Sequence, residues 1–277
     1  MVHKAYIIIA CLMLLCIAYG FYYVRWNHLW SVCQQEPVYI TEKKNDDTLR
    51  IVMIGDSWAG IHSEMHMDSY LCSELKKNVQ RPIRVVSKGK GGEKSRGIYR
   101  QLFHNKEGGT RSLFTAGADY CVVLAGINDA AANLGTKQFC AHYKMILNFL
   151  LSKGIRPVII EIPDVDIWHL YYDKPWKDII ADFVRSTMTG CGMYHFHEYR
   201  EALKEMLFEE RLMEHVVYVP LAGWNESGER INKNLFMTDR VHLNRRGYEK
   251  LDACIAKAII CDLQQVQDTD LVYQPMN

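Results

Sequence analysis

Apolar and polar positions follow two regimes along the chain. In "AYIIIACLMLLCIAYGFYYV", residues 5–24, 20 consecutive positions carry no charge. That is about the length of a helix that crosses a bilayer core. From residue 49 onward, short apolar runs alternate with segments of helical spacing. "LRIVMI" (49–54), "IRVV" (83–86), "DYCVVLAG" (119–126), "RPVIIEIP" (156–163) and "VVYVP" (216–220) read as buried strands. Helical spacing predicts helices over 59–78, 95–104, 138–154, 174–190, 198–215 and 245–263. Gly154 is placed as a helix C-cap.

This alternation predicts one α/β domain with a central parallel sheet of about five strands and helices on both faces. Such sheets place their sites beyond the carboxyl ends of the strands. The predicted division is an N-terminal span over 1–24, a juxtamembrane linker over 25–48, the α/β domain over 49–264 and a tail over 265–277 without clear period.

The apolar span has Lys4 before it and Arg25 after it, with Tyr6, Tyr19, Tyr22, Tyr23 and Trp26 near its ends. Aromatic side chains at those positions suit a membrane interface. A cleaved signal peptide would have a shorter apolar core and an A-x-A site. Neither Ile8-Ile9-Ala10-Cys11 nor Leu15-Cys16 fits a lipobox. The reading is an uncleaved signal anchor, with residues 5–24 in the membrane and the α/β domain exported to the periplasmic or extracellular side.

The 277 residues are 49 % apolar and carry a net charge of +1. Without Lys4 the remainder balances 32 basic against 32 acidic residues. That balance gives no ground for a nucleic-acid partner or a polybasic membrane face. Of nine cysteines, Cys11 and Cys16 fall in the span and no CxxC occurs. Cys121 and Cys254 read as buried thiols. One disulfide in an oxidising compartment stays open.

Four loop stretches carry the candidate chemistry. They are Gly55-Asp56-Ser57 after the first strand, "SKGKGG" (87–92) after the second, "GIND" (126–129) after the third, and Asp239-Arg240-Val241-His242 before the last helix. Acyl transfer needs these residue types. A serine hydroxyl needs a base within hydrogen-bond reach, which His242 supplies. Asp239, three residues earlier, fixes the imidazole tautomer. The negative oxygen of the tetrahedral intermediate needs preorganised donors. The N–H groups of Ser57 and Gly92 and the side-chain amide of Asn128 are the candidates.

In these four motifs the chain, from about residue 50 to 262, resembles the SGNH hydrolases, or GDSL-type esterases and lipases. The resemblance implies a three-layer, flavodoxin-like α/β/α sandwich. It implies Ser57 as nucleophile, Asp239 and His242 as its partners, and Gly92 and Asn128 with Ser57 as the oxyanion hole. Ser87-x-Gly89-x-x-Gly92 mirrors the family's Asn-x-Gly-x-x-Gly, with Ser87 in place of asparagine. Trp58 stands where leucine is common, which implies a reshaped pocket and a substrate contact.

"KGKGGEKS" fails the Walker pattern at both fixed glycines. His62 and His66 are four apart, but Ser63 stands where a zinc protease has glutamate, so a polar helix face is expected there. His195, His197 and Cys191 lack further converging ligands. No metal or cofactor is expected. "DVDIWHLYYDKPW" (164–176) places Trp168, Tyr171, Tyr172 and Trp176 after the fourth strand, where aromatic faces suit sugar rings. Trp168 and Tyr171 join Trp58 as expected substrate contacts. The expected activity is an ester hydrolase that removes acetyl or other short acyl groups from a small acylated molecule or an exported or cell-envelope glycan. The alternatives are an O-acyltransferase using the same serine, and a carbohydrate-binding module without catalysis.

Overall fold

A computed structural model of the chain describes residues 2–30, 39–41, 45–106, 108–171, 173–221, 224–226, 230–231 and 234–272. Two compact units result, residues 1–34 and 35–277. The first unit contains helix α1, Val2–Trp30. Its stretch Lys4–Leu29 is 26 residues with a window of mean hydropathy 2.4. At 1.5 Å per residue that stretch is about 39 Å long, enough to cross a bilayer core. A signal sequence has the same character. The helix runs past Arg25 to Trp30, so residues 25–30, expected in the linker, are helical. Tyr22 stacks on Trp26, and Asn27 bonds the Tyr23 carbonyl one turn back.

In the second unit the strands are β1 (Leu49–Gly55), β2 (Ile83–Gly89), β3 (Tyr120–Leu124), β4 (Arg156–Ile160) and β5 (Val217–Val219). All pair in parallel, in the order β2-β1-β3-β4-β5. β1, β3 and β4 are buried along nearly their whole length. This is why they read as unbroken apolar runs, as strands covered on both faces do. The helices are α2 (Ser57–Glu64), α3 (Asp68–Lys76), α4 (Ser95–Gln101), α5 (Ile127–Ala131), α6 (Thr136–Ser152), α7 (Ile167–Leu170), α8 (Trp176–Thr189), α9 (Phe196–Glu209) and α10 (Arg245–Val272). α3 packs on β2 and α10, and α10 on β5. α6 packs on β4, α4 and α9. The three-layer sandwich expected from the alternation is present. Between β1 and β3 the strand order reverses, the position where such sheets hold ligands.

Three predicted boundaries shift. The helix expected over 59–78 is two helices, because His66 at φ 56° turns the chain between α2 and α3. The helix expected to 215 stops at Glu209, where Arg211 at φ 53° precedes a short 3-10 turn at Met213–His215. The tail expected to start at 265 instead continues α10 as far as Val272. A two-stranded hairpin, Asn225–Glu226 with Arg230–Ile231, was not anticipated. The cysteines described are free thiols, with Cys121 buried and Cys254 half-buried. Cys33 lies outside the described residues.

Candidate active site

β1 ends on Gly55, and Asp56 caps α2 by accepting the Trp58 N–H at 2.9 Å. An acidic N-cap satisfies a helix-end donor and suits the positive end of the helix. Ser57 is therefore the first residue of α2, half-buried at the carboxyl edge of the sheet. Its Oγ lies 2.9 Å from His242 Nε2. His242 Nδ1 lies 2.6 Å from Asp239 Oδ2. With the proton on Nδ1 donated to Asp239, Nε2 is left to accept from the serine. Asp239 Oδ1 accepts the N–H groups of Val241 and His242, both at 2.9 Å. Partial burial pushes the Asp239 carboxyl up, but the bonds from the His242 ring and the two N–H groups outweigh it and hold the pKa below the usual carboxylate value. The loop is tight: Arg240 sits at φ 58°, and the Met237 N–H donates to the His242 carbonyl at 2.7 Å.

The other two loops are tied to the first. Asn128 Nδ2 donates to Asp56 Oδ2 at 3.0 Å. This leaves the second hydrogen of that amide for another acceptor. Its neighbour Asp129 is fully buried and accepts from Ser95 Oγ at 2.6 Å and Ser95 N at 3.0 Å. Asp129 thus fixes the start of α4, the helix that follows the glycine loop. Burial pushes Asp56 up to about 7 and Asp129 up to about 6. The glycine loop is anchored where the Lys90 N–H donates to the Gly55 carbonyl at 3.2 Å. Its turn closes with the Glu93 N–H on the Lys90 carbonyl, and Gly92 stands at φ 71° within it. Gly89 has a different task. A β-carbon there would lie 2.1 Å from the Asp56 carbonyl oxygen and 2.6 Å from the Gly60 nitrogen. β2 can approach the start of α2 only because residue 89 has no side chain.

Trp58 corrects the expectation of a substrate contact. It is 1 % exposed, packs edge-on against Phe236, and donates Nε1–H to the Val241 carbonyl at 3.1 Å. The Tyr248 hydroxyl bonds the Trp58 carbonyl at 2.9 Å. This side chain ties the serine helix to the loop of His242. Trp168 and Tyr171, the other two expected substrate contacts, both pack against Tyr194. Their segment joins the His242 loop through the Asp166 N–H on the Arg240 carbonyl and an Arg240–Asp166 ion pair of 2.9 Å. Tyr172 lies outside the described residues.

Sequence reasoning missed a buried polar cluster behind the site. His62 is not on a polar surface face but wholly buried. Its Nε2 lies 2.9 Å from Asp252 on α10, and its Nδ1 lies 3.0 Å from Ser87 Oγ on β2 and 3.3 Å from Asp68 on α3. Burial opposes the imidazolium, but the bonds it donates to the two carboxylates raise it to about 9. The only signal was a histidine among apolar helix positions, and its partners lie up to 190 residues away. Among the described residues, no group of three His, Cys, Asp or Glu side chains is placed to hold a metal.

Comparison with known proteins gives a concordant result. The GDSL-like lipase/acylhydrolase family matches residues 53–250. No curated protein sequence matches. Among solved structures, a candidate acylhydrolase from Bacteroides fragilis superposes with a TM-score of 0.54 at 16 % identity, covering 81 % of this chain and 91 % of that one. A candidate lipolytic protein of the G-D-S-L family from Desulfitobacterium hafniense gives 0.52 at 16 % identity, over 77 % and 99 %. Axe2, an acetylxylan esterase from Geobacillus stearothermophilus, gives 0.52 at 16 % identity, over 79 % and 96 %. Identities this low speak for the fold, while the family match speaks for the chemistry. The chain belongs to the GDSL-like lipase/acylhydrolase family and is a serine ester hydrolase.

Proposed function

We propose that the protein removes acetyl or other short acyl groups from an exported or cell-envelope carbohydrate through a Ser57 acyl-enzyme, while α1 tethers it to the membrane. The observation that carries the chemistry is the unbroken relay of 2.9 Å from Ser57 to His242 and 2.6 Å from His242 to Asp239. Ser57 Oγ attacks the ester carbonyl as its proton passes to His242 Nε2. The carbonyl electron pair moves to oxygen, which the Ser57 N–H, the Gly92 N–H and the free Asn128 amide hydrogen stabilise. The intermediate collapses, the C–O bond to the sugar breaks, and the sugar oxygen takes the proton from His242. Water then gives a proton to His242 and attacks the acyl-enzyme. Collapse releases the carboxylic acid and returns the proton to Ser57.

The glycan reading draws on the aromatic rim at Trp168 and Tyr171 and on the acetylxylan esterase that shares the fold. The membrane reading draws on the length and hydropathy of α1. The test is acetate release from partly acetylated oligosaccharides by the full chain in detergent, with Ser57→Ala as control. Release that depends on Ser57 supports the reading. Hydrolysis of synthetic acetyl esters without release from any acetylated sugar overturns the substrate assignment and leaves the esterase intact.

A further inference from the structure

His62 sits on the serine helix, and no step of the ester chemistry uses it. It lies five residues beyond Ser57 in α2 and is wholly buried. Its hydrogen-bond partners fix its charge. Nε2 faces Asp252 Oδ1 at 2.9 Å. Nδ1 faces Ser87 Oγ at 3.0 Å and Asp68 Oδ1 at 3.3 Å. The Ser87 hydroxyl gives its own proton to Asp68 at 2.5 Å, so towards the ring it can only accept. Both ring nitrogens therefore meet acceptors, and the imidazolium is the form that donates to both. Asp252 needs that charge. It is 0 % exposed, and among the described residues its Oδ2 has no hydrogen-bond partner. A buried carboxylate left without a counter-charge is costly.

The partners of this ring fasten the two halves of the site. α10 starts at Arg245, three residues after His242. Its Tyr248 hydroxyl donates to the Trp58 carbonyl at 2.9 Å. Four residues on, Asp252 accepts from His62, itself four residues after Trp58. Residues four apart share a helix face, so these are two successive rungs between α2 and α10. A third contact, Trp58 Nε1–H on the Val241 carbonyl, joins α2 to the residue before His242. On the other side of the ring, Ser87 lies two residues before Gly89, where β2 closes on the first turn of α2. Asp68 opens α3. One buried cation thus holds α2 to α10, α3 and β2 together.

The two rungs respond differently to pH. The groups against the ring are Asp252 and Tyr248 of α10, Asp68 of α3 and Ser87 of β2. Glu74 of α3 adds negative potential at Asp252. β1 carries one charged residue, Arg50, which bonds Asp46 instead. Burial opposes the His62 charge, the carboxylates outweigh it, and the ring titrates at about 9. Burial pushes the Tyr248 hydroxyl far above that, so its rung keeps its proton in alkali. A neutral His62 ring retains a single N–H. Either Asp252 or the Ser87–Asp68 side then loses its donor, and the second rung or the tie to β2 opens.

We propose that His62 is a positioning residue for the ester hydrolysis: clamped between Asp252 and the Ser87–Asp68 pair, it holds the serine helix in register with the loop that carries His242. This rests on Ser57 and His242 as the reacting pair and not on the sugar assignment. The test measures kcat and KM on p-nitrophenyl acetate from pH 6 to 10 with the full chain in detergent. Each rate is divided by the number of sites that a fluorophosphonate titrates to completion. Molecules lost to unfolding drop out of that ratio, so a merely structural role leaves kcat per site unchanged. In the wild type, kcat should fall reversibly through pH 9 while KM stays within about twofold. His62→Gln keeps a donor without the charge. It should lower kcat per site at pH 7 by roughly tenfold, short of the ~10²-fold of a 1 Å misplacement, and abolish the fall through pH 9. Asp252→Asn weakens the hold on the proton and should move that fall about one pH unit lower. If Asp252→Asn does not fold, Asp68→Asn, at a partly exposed carboxylate, should move it in the same direction. Wild-type kcat per site in His62→Gln, a fall through pH 9 that survives His62→Gln, or one that the aspartate variant does not move, overturns the proposal. So does a wild type without the fall. Labelling of the wild type at a residue other than Ser57 would overturn the parent assignment, and this proposal with it.

Discussion

Gly89→Ala is the perturbation whose consequence the structure specifies most sharply. The added methyl group would sit 2.1 Å from the Asp56 carbonyl oxygen, 2.6 Å from the Gly60 nitrogen and 2.8 Å from the Ala59 β-carbon. Two of those three atoms are backbone, so no side-chain rotation relieves the clash. Either β2 or the first turn of α2 must move, and Ser57 is the first residue of that turn. Overpacking of this kind costs about 1–3 kcal/mol, and contact with backbone on two sides places the site at the upper end. For a domain of this size that corresponds to roughly 2–4 °C in melting temperature per kcal/mol, so a fall of about 6–12 °C is expected. A displacement of Ser57 also breaks its alignment with His242, and misplacement by about 1 Å can cost on the order of 10²-fold in rate. Gly91→Ala is the control, since nothing lies within 4 Å of a β-carbon there and φ is not positive. The assay is thermal unfolding alongside kcat/KM on p-nitrophenyl acetate. A Gly89→Ala protein with wild-type melting temperature and rate would refute the claim that close packing of β2 on α2 positions the serine.

Asn128→Ala should lower kcat by about 10²–10³ with little change in KM, the signature of a lost oxyanion donor. Asn128→Asp should be worse, because a second carboxylate would face Asp56, now 3.0 Å from the amide nitrogen; steady-state kinetics on both variants decides, and a KM effect alone would make Asn128 a binding residue. Trp58→Phe removes the Nε1 bond to the Val241 carbonyl and leaves a cavity. It should cost about 2–3 kcal/mol of stability and lower kcat, as read by denaturant unfolding and initial rates. The His62 cluster sets a pH dependence. Its imidazole titrates at about 9 when folded against 6.5 ordinarily, so its contribution to stability is fully present below pH 6.5 and is lost as pH rises through 9. His62→Gln should lower the melting temperature at pH 6 and flatten the alkaline decline, as a series of melts from pH 6 to 10 would record.

How much of this could be read from the residues alone depends on the range of the interaction. β1, β3 and β4 were legible because strands covered on both faces must be apolar throughout, and β1 and β3 each end near a glycine at the sheet's carboxyl edge. The meeting of Ser57, His242 and Asp239 was legible because Asp239 and His242 are local to each other and Ser57 follows a strand. Trp58 was misjudged because its partners, Val241 and Phe236, are remote in sequence, and only packing decides whether a tryptophan beside a serine faces substrate or core. His62 was misjudged for the same reason, since nothing near it in sequence announces Asp252 or Ser87. The break between α2 and α3 rests on His66 in the left-handed region, a conformation that local propensity disfavours. The helical continuation after residue 264 was missed because "QQVQDTD" has no apolar period. Asp56 was the nearest miss: an acid before a helix start signals an N-cap, but its second bond, to Asn128, required the fold.

Covalent labelling tests directly whether Ser57 is the residue that takes the acyl group. The full chain is treated with a serine-directed fluorophosphonate at neutral pH, digested and mapped by mass spectrometry. A single adduct on Ser57, formed rapidly by the wild type and slowed at least a hundredfold by His242→Ala, is the expected result. An adduct on another serine, or labelling of Ser57 at the same rate without His242, would contradict it.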